Sequence, residues 1–385
     1  MQKAFRNSSI FKIILIQDFI GAFAFFAPQA LLIAYLHENM QLSSEDTSGI
    51  LFTLIFFSRI GRLAFSPYLN KINFPLLLTI LQLLGGLGFY LLSRGGIIDL
   101  YLGAFLIGLF YGNNSIVIRI ATSFLKNQSL TLNYSLLSTV TNLASSGGAI
   151  FLGLLYKHLG PVYMFEVMSA FFSLTCAYTF WATRKITLPQ QGHFFKLLLS
   201  LVRKKVVSWT LLIIVLVWFI YSLALTTMPL FVIDRLHRSD LVWTVTALNG
   251  LAVLILAYPV NRLIVKLSDN TKLIISFLLF GSAFLLLSLR NSMGMLYLFL
   301  LLISAAEIIA IPAYQSIMSS NTEASERTAI FSLSIISVGI GESLGAVFAV
   351  WTNEHNSLFH IIFVFVFVAT ILISLFCRRN TTSLA

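Results

Sequence analysis

Cysteine is scarce in this chain. There are 2 among 385 residues, and both Cys176 and Cys377 fall inside apolar runs, where a small buried hydrophobe is the expected role and neither a disulfide framework nor a thiolate metal site is. Charge is scarce as well. Only 10% of residues are Asp, Glu, Lys or Arg, against roughly 25% in an ordinary soluble domain. No His or Cys cluster has metal-ligand spacing, which argues against a metal centre. No glycine loop runs into Lys-Ser or Lys-Thr, which argues against an ATP-driven machine. The run Gly341-Glu342-Ser343-Leu344-Gly345 fits the letters of a nucleophile elbow, but that motif needs a strand-to-helix turn and here it lies in the middle of an apolar helical run, so enzymatic chemistry is not expected. Acids are outnumbered 14 to 25 by Lys and Arg, for a net charge of +11. A nucleic-acid partner would need those cations gathered on a soluble domain, and the chain offers none.

What is present is oil. Hydrophobic residues make up 58% of the chain and the mean hydropathy is +0.91, more apolar surface than a water-soluble core can hide. Runs of about 20 residues recur, each long enough to cross the roughly 30 Å of a bilayer's hydrocarbon. The expected fold is an all-α membrane protein with twelve spans, at approximately residues 10–36, 48–69, 74–93, 98–122, 134–156, 161–182, 208–232, 242–265, 272–290, 294–317, 328–352 and 356–377. The basic, apolar start imitates a secretion signal, but the run contains Asp18, continues to Leu36 and has no small-residue cleavage site, so it is read as a retained first span.

Lys and Arg set the orientation. One set of connections and ends carries 19 of the 25, the other carries Arg94, Lys157, Arg235, Arg238 and Arg290, and Arg119 lies within a span. By the positive-inside rule the richer set, with both termini, faces the cytoplasm. The expected setting is the plasma membrane, of bacterial inner-membrane type, with a lipid bilayer as partner, a monomeric state and no cofactor. A polar interruption at residues 184–207 separates a first six-helix bundle, 1–183, from a second, 208–385. Phe and Leu alternate with Lys and Arg at helical spacing between His193 and Val207, so the linker is either a helix lying on an anionic leaflet or a solvated connection. Pro28 followed by Leu36 and His37 in the first half is echoed by Pro229, Leu236 and His237 in the second, which points to two parallel repeats about an axis along the membrane normal, an arrangement that holds substrate between the halves.

The connection after the second span, with Arg59, Arg62, Ser66-Pro67 and Asn70-Lys71-Ile72-Asn73, resembles the signature loop of the major facilitator superfamily. Ser66 stands for its first glycine, Asn70 for its aspartate, Lys71 for its arginine and Asn73 for its second glycine. The resemblance implies a gating loop made of Arg59, Arg62, Ser66, Asn70, Lys71 and Asn73, in which Asn70 lacks the charge that grips neighbouring helices in the family. Gly147, Gly148 and Gly153 in the fifth span resemble part of the glycine motif of the drug:proton antiporters, without its Gly-Pro pair. Close helix packing explains these glycines, and Gly339, Gly341 and Gly345 in the eleventh span, equally well. Arg119, in GNNSIVIRIATS, resembles the arginine-bearing motif of proton antiporters.

Ionisable groups within spans are costly, at least about 2.5–3.5 kcal/mol each, and are functional candidates by default. Asp18 in the first span and Arg119 in the fourth can lie at similar depth. Burial favours the protonated acid and a neighbouring guanidinium favours the ionised one. An acid whose arginine contact changes between conformations therefore takes up and releases a proton; the alternative is a static ion pair. Glu307 and Glu342, in the tenth and eleventh spans, either carry protons or read a cationic substrate, or are neutral acids bonded to neighbouring helices. Gln29, Tyr111, Asn113, Asn114, Asn142, Tyr221, Tyr314 and Gln315 make up a candidate substrate-binding set, with helix packing as the alternative for each. Pro28, Pro229 and Pro312 are positioned to kink their helices. The expected function is secondary transport of a small molecule by alternating access, as a proton-coupled exporter of amphipathic or cationic compounds. The alternatives are an importer or facilitator of a small metabolite and, from another class, a membrane enzyme or receptor.

Overall fold

The structure is a computed structural model that describes residues 2–65, 73–123, 130–184, 200–321 and 327–355, together with Val368 and Thr370. The described residues are helical throughout, with short connections. The helices are α1 (Gln2–Phe26), α2 (Gln29–Ala34), α3 (Ser44–Phe65), α4 (Phe74–Arg94), α5 (Ile97–Ser123), α6 (Leu130–Leu159), α7 (Pro161–Thr183), α8 (Lys205–Leu230), α9 (Val242–Ile264), α10 (Asp269–Leu289), α11 (Met293–Ser320) and α12 (Arg327–Glu354). Each expected span but the last coincides with a helix, α1 and α2 together making the first. The last, 356–377, lies mostly outside the described residues, as does most of the 184–207 linker. Among the described residues, nine helices are long and apolar enough to cross a membrane.

The ends of these helices follow local chemistry. Ser268 and Ser292 accept the amides of Thr271 and Met295 at the starts of α10 and α11, relieving donors that the first helical turn leaves open. Gly160, at φ +86, separates α6 from α7, and Pro161 opens the latter where its missing N–H costs nothing. The helices keep large apolar side chains on their outer faces. Leu263 is 82% exposed, Leu174 78% and Ile98 77%. Such a surface would drive aggregation in water and suits hydrocarbon contact.

The chain divides into two compact units, residues 1–42 with 49–192, and residues 43–48 with 193–385. In the first, α1 packs on α5 and α6, and α4 on α5 and α7. Its core is rich in phenylalanine, with Phe89 stacked on Phe165 at 6.4 Å and on Phe172 at 5.5 Å. In the second, α8 packs on α12, and α11 on α9 and α10.

The two units repeat one device. In the first, α2 runs into a π-helical turn, Tyr35–Asn39; in the second, α8 runs into another, Phe231–Arg235. Six residues after each turn begins stands a left-handed non-glycine, Gln41 at φ 48 and His237 at φ 51. Each turn is tied to a long helix of its own unit, Asn39 accepting from the Tyr156 hydroxyl at 2.5 Å and Asp234 from the Asn353 amide at 2.5 Å. The repeat is real but shifted from the sequence landmarks. Leu36 and His37 lie within the first π-turn, whereas Leu236 and His237 follow the second, a difference of about one helical turn.

Candidate functional site: two buried polar clusters

The first unit holds a polar ladder across four helices. Thr179 of α7 stands at its centre, accepting from the Gln17 amide of α1 at 3.1 Å and donating to the Gln82 carbonyl of α4. Gln82 in turn donates to Thr175. From α5, the Asn114 amide reaches the Gln17 backbone carbonyl at 3.2 Å, across the groove left by Gly21, where a methyl group would collide with the asparagine. Beside this ladder Asp18 is part-buried and accepts the Thr141 hydroxyl of α6 at 3.0 Å. Its expected partner Arg119 is a helical residue of α5 whose side chain lies outside the described residues.

Arg59, expected at the gating end of the second span, instead turns into the interior, 8% exposed. Its guanidinium sits 5.7 Å from the Phe25 ring and 5.6 Å from the Tyr111 ring, which stack face to face at 4.1 Å. The arrangement is possible because α3 and α5 touch backbone to backbone, with Gly108 and Gly112 facing Leu54 and Ser58. A guanidinium packed against this stacked pair gains cation–π attraction where water is scarce. The remainder of the expected gating loop is not reached: Ser66, Asn70, Lys71 and the Arg62 side chain lie outside the described residues. Asn73 is exposed and precedes α4 as its N-cap without a side-chain bond.

Other expected binding residues are placed less suggestively. Asn113 is fully buried, spends its amide on the Leu109 carbonyl and leaves its Oδ1 without a partner. Asn142 bonds back to Ser138 of its own helix. Gln29 borders a cavity of about 10 Å³ among Phe25, Pro28, Leu54, Phe89 and Phe165, room for a water at most. Gln315 is part-buried next to Tyr314 on α11.

The second unit gathers Tyr221, Tyr314, Glu307 and Glu342 into one region. The Tyr221 hydroxyl of α8 accepts the Asn249 amide of α9 at 3.1 Å, and the Asn249 carbonyl accepts the Ser304 hydroxyl of α11 at 2.9 Å. Glu307, one turn beyond Ser304, is hydrogen-bonded to that tyrosine, and Glu342 of α12 lies within electrostatic reach of it. The Glu307 Oε2 is buried without a hydrogen-bond partner. Trp218 closes the cluster, edge-on to Tyr221 at 5.4 Å and donating to the Tyr314 hydroxyl at 3.1 Å. Glu342 is brought there by the GESLG run. Gly341 and Gly345 face the backbone of α8 at Val215 and Phe219 directly, so these glycines are a helix contact and the nucleophile-elbow letters carry no chemistry.

Sequence reasoning missed Thr141, Thr179, Gln82, Trp218, Asn249 and Ser304. Two carried a signal. Asn249 is an amide in the middle of the apolar run of α9, and Ser304 lies three residues before Glu307 on the same helical face. Thr179→Val removes the hub of the first ladder while keeping its shape, leaving two buried amides short of a partner. A destabilisation of about 1–3 kcal/mol is expected, read as a lower thermal transition of the purified protein, whereas an unchanged transition would show the ladder to be idle.

A family model described as Major Facilitator Superfamily matches residues 19–273 and 238–383. The chain belongs to the major facilitator superfamily. No curated protein sequence matches it. Solved structures with the same fold include a POT family transporter in complex with a thioalcohol-conjugated peptide, at 14% identity over 97% of this chain and 96% of that one, TM-score 0.74. A mutant of peptide transporter POT in complex with alafosfalin matches at 14% identity over 97% and 94%, TM-score 0.76. A mutant of the nucleoside transporter NupG matches at 8% identity over 96% and 99%, TM-score 0.77. Membership of this superfamily makes the chain a multi-pass membrane protein and a transporter of small molecules rather than an enzyme. The specific likeness to drug:proton antiporters expected from the fifth span is not what these structures display, and Gly148 there packs against Phe23 of α1 and Ala27 just beyond it.

Proposed function

We propose that this superfamily member is a proton-coupled secondary transporter that exports small amphipathic or cationic solutes in exchange for protons. It works as a monomer in the plasma membrane. Asp18 carries a proton in the first unit, with Arg119 as its partner in the cycle on the strength of sequence alone, and Glu307 and Glu342 are the titrating acids of the second. The observation that carries this reading is that each unit keeps carboxyl groups deep in apolar helices and surrounds them with hydroxyls and amides from neighbouring helices, Thr141 for Asp18 and the Tyr221, Asn249 and Ser304 chain for Glu307. Stability alone gives no reason to keep an acid there, since each costs at least about 2.5 kcal/mol. A site that holds either a proton or a cationic solute moves the two in opposite directions. With protons flowing inward, the solute leaves.

A second reading, movement of a small metabolite such as a peptide or nucleoside, takes its support from what the solved relatives are named for, at a likeness that is one of fold. One experiment separates them. Purified protein is reconstituted into vesicles carrying a preformed proton gradient, and candidate solutes are added outside. Exchange predicts that a cationic amphipathic solute collapses the gradient, while a facilitator moves its solute with the gradient intact. A protein that leaves the gradient untouched with every cation tried is not the exchanger proposed.

A further inference from the structure

We infer that the last turns of α9 are a binding site for one anionic phospholipid, its phosphate on Arg262 and Lys266 and one of its chains along the helix. Such a site stands apart from the solute and the coupling proposed above. The sequence supplies its outline. Leu251, Ile255, Pro259, Arg262 and Lys266 follow one another at intervals of three and four residues, which makes a single stripe down one side of the helix, apolar first and cationic at the end. From Leu251 to Arg262 that stripe covers about 16 Å, close to the hydrocarbon depth of one leaflet, which is half of roughly 30 Å. Both cations belong to the Lys- and Arg-rich set of connections, the set that the positive-inside rule assigns to the cytoplasmic leaflet, where anionic headgroups attract basic side chains.

The structure leaves this stripe uncovered. Among the described residues α9 is the least buried of the nine helices fit to cross a membrane. Ile255, Tyr258 and Leu263 are all largely exposed. A cavity of about 520 Å³ lies at its end, lined by Tyr258, Pro259, Arg262, Leu263, Val265 and Lys266, a volume within the roughly 300–1,000 Å³ of small-molecule sites. Neither cation has a hydrogen bond or ion pair among the described residues. Asp269 is the one acid between Asp240 and Glu307 in the sequence, and it is taken by Lys272 at 2.9 Å. Exposed cations by themselves are ordinary. Lys157 and Arg290, on the Lys- and Arg-poor side, are exposed too, each close to an exposed leucine, and line no such cavity. The walls choose the occupant. A free phosphate would answer the cations and leave Ile255, Leu263 and Val265 bare, while an uncharged lipid would cover the apolar side chains and leave two positive charges unanswered. An anionic phospholipid meets both demands, with Tyr258 one turn before Arg262 placing an amphipathic ring between chain and headgroup.

The test uses the full-length purified protein in an uncharged detergent, titrated with dioleoyl phosphatidylglycerol or dioleoyl phosphatidylcholine and read by native mass spectrometry. The two lipids share their chains and differ in net charge. The anionic lipid is expected to give one saturable binding event, at least about tenfold tighter than any given by the zwitterionic one. Arg262→Gln combined with Lys266→Gln is expected to weaken that event by about tenfold to a hundredfold, the scale of two surface cations facing an anionic headgroup. Lys157→Gln combined with Arg290→Gln removes the same charge elsewhere and is expected to leave it unchanged. All four side chains are exposed, so the thermal transition recorded alongside should stay in place. Should the first variant not fold, the ratio of the two lipids on the unaltered protein decides together with the second variant. Equal binding of the two lipids, an equal loss in both variants, or a folded Arg262 and Lys266 variant that keeps the event overturns the assignment. Displacement of the bound lipid by about 10 mM glycerol 1-phosphate overturns it as well, since a soluble phosphate compound would then be the occupant.

Discussion

Gly341→Val is expected to leave little folded protein in the membrane. A Cβ at this position would run into the Val215 carbonyl oxygen and the Phe219 amide nitrogen of α8, and Gly345, one turn on, faces Phe219 and Leu223 in the same way. These neighbours are backbone atoms, so no side chain can swing aside to make room. Without a hydrophobic force between helices in lipid, close approach of backbones is much of what holds such a pair together. Forcing α8 and α12 apart therefore removes packing along the whole contact, at a cost of about 3 kcal/mol, the upper end of the overpacking range. The measurement is the yield of protein from membranes together with its thermal transition in detergent. Gly147→Ala is the matched control. Nothing lies within 4 Å of the position a methyl group would take there, and alanine favours a helix over glycine by about 1 kcal/mol. A valine variant at 341 that melts with the unaltered protein would show that the α8–α12 contact is looser than described.

The second large effect is functional. Asp18→Asn is expected to abolish proton-driven transport in vesicles, reducing solute-induced gradient collapse to that of empty vesicles, while the protein stays folded. Asparagine keeps an oxygen where the Thr141 hydroxyl donates, so the bond from α6 survives and the thermal transition should shift by less than about 1 kcal/mol. What is lost is the capacity to take up and release a proton. The comparison with Thr141→Val separates the roles, since that change removes the bond but leaves the carboxyl titratable, and coupling should persist with an altered pH profile. Retained gradient collapse in Asp18→Asn would remove this residue from the proton path.

Much of the fold was legible because lipid leaves so few options. A backbone that cannot reach water is driven into helices, so apolar length alone located the helices that answer to the expected runs from 10–36 to 328–352, nine of them long and apolar enough to cross a membrane among the described residues. Landmarks at the helix ends were also readable, as with Gly160-Pro161 between α6 and α7 and the serines before α10 and α11. The site was legible only as a list of suspects. Asp18, Glu307 and Glu342 declared themselves as charges in oil. The neutral residues that answer them were harder to read: Thr141 looks in sequence like any hydroxyl in a helix, and Asn249 and Ser304 stood out only by their place in the apolar runs. Their relevance depends on which helices touch, and periodicity carries no information about that in a chain whose helices are apolar nearly all round. Arg59 misled for a related reason. Counted along the chain it sits near a helix end, where an arginine ordinarily reaches for phosphate, and only the glycines of α5 reveal that a neighbouring helix comes close enough to draw it onto Phe25 and Tyr111.

The paired π-turns have a historical meaning. An extra residue in a turn and a strained successor occur twice at matching places, each moored to a long helix of its own unit. They are the trace expected of a half-length ancestor copied and joined to itself, one device kept at the same place in each unit.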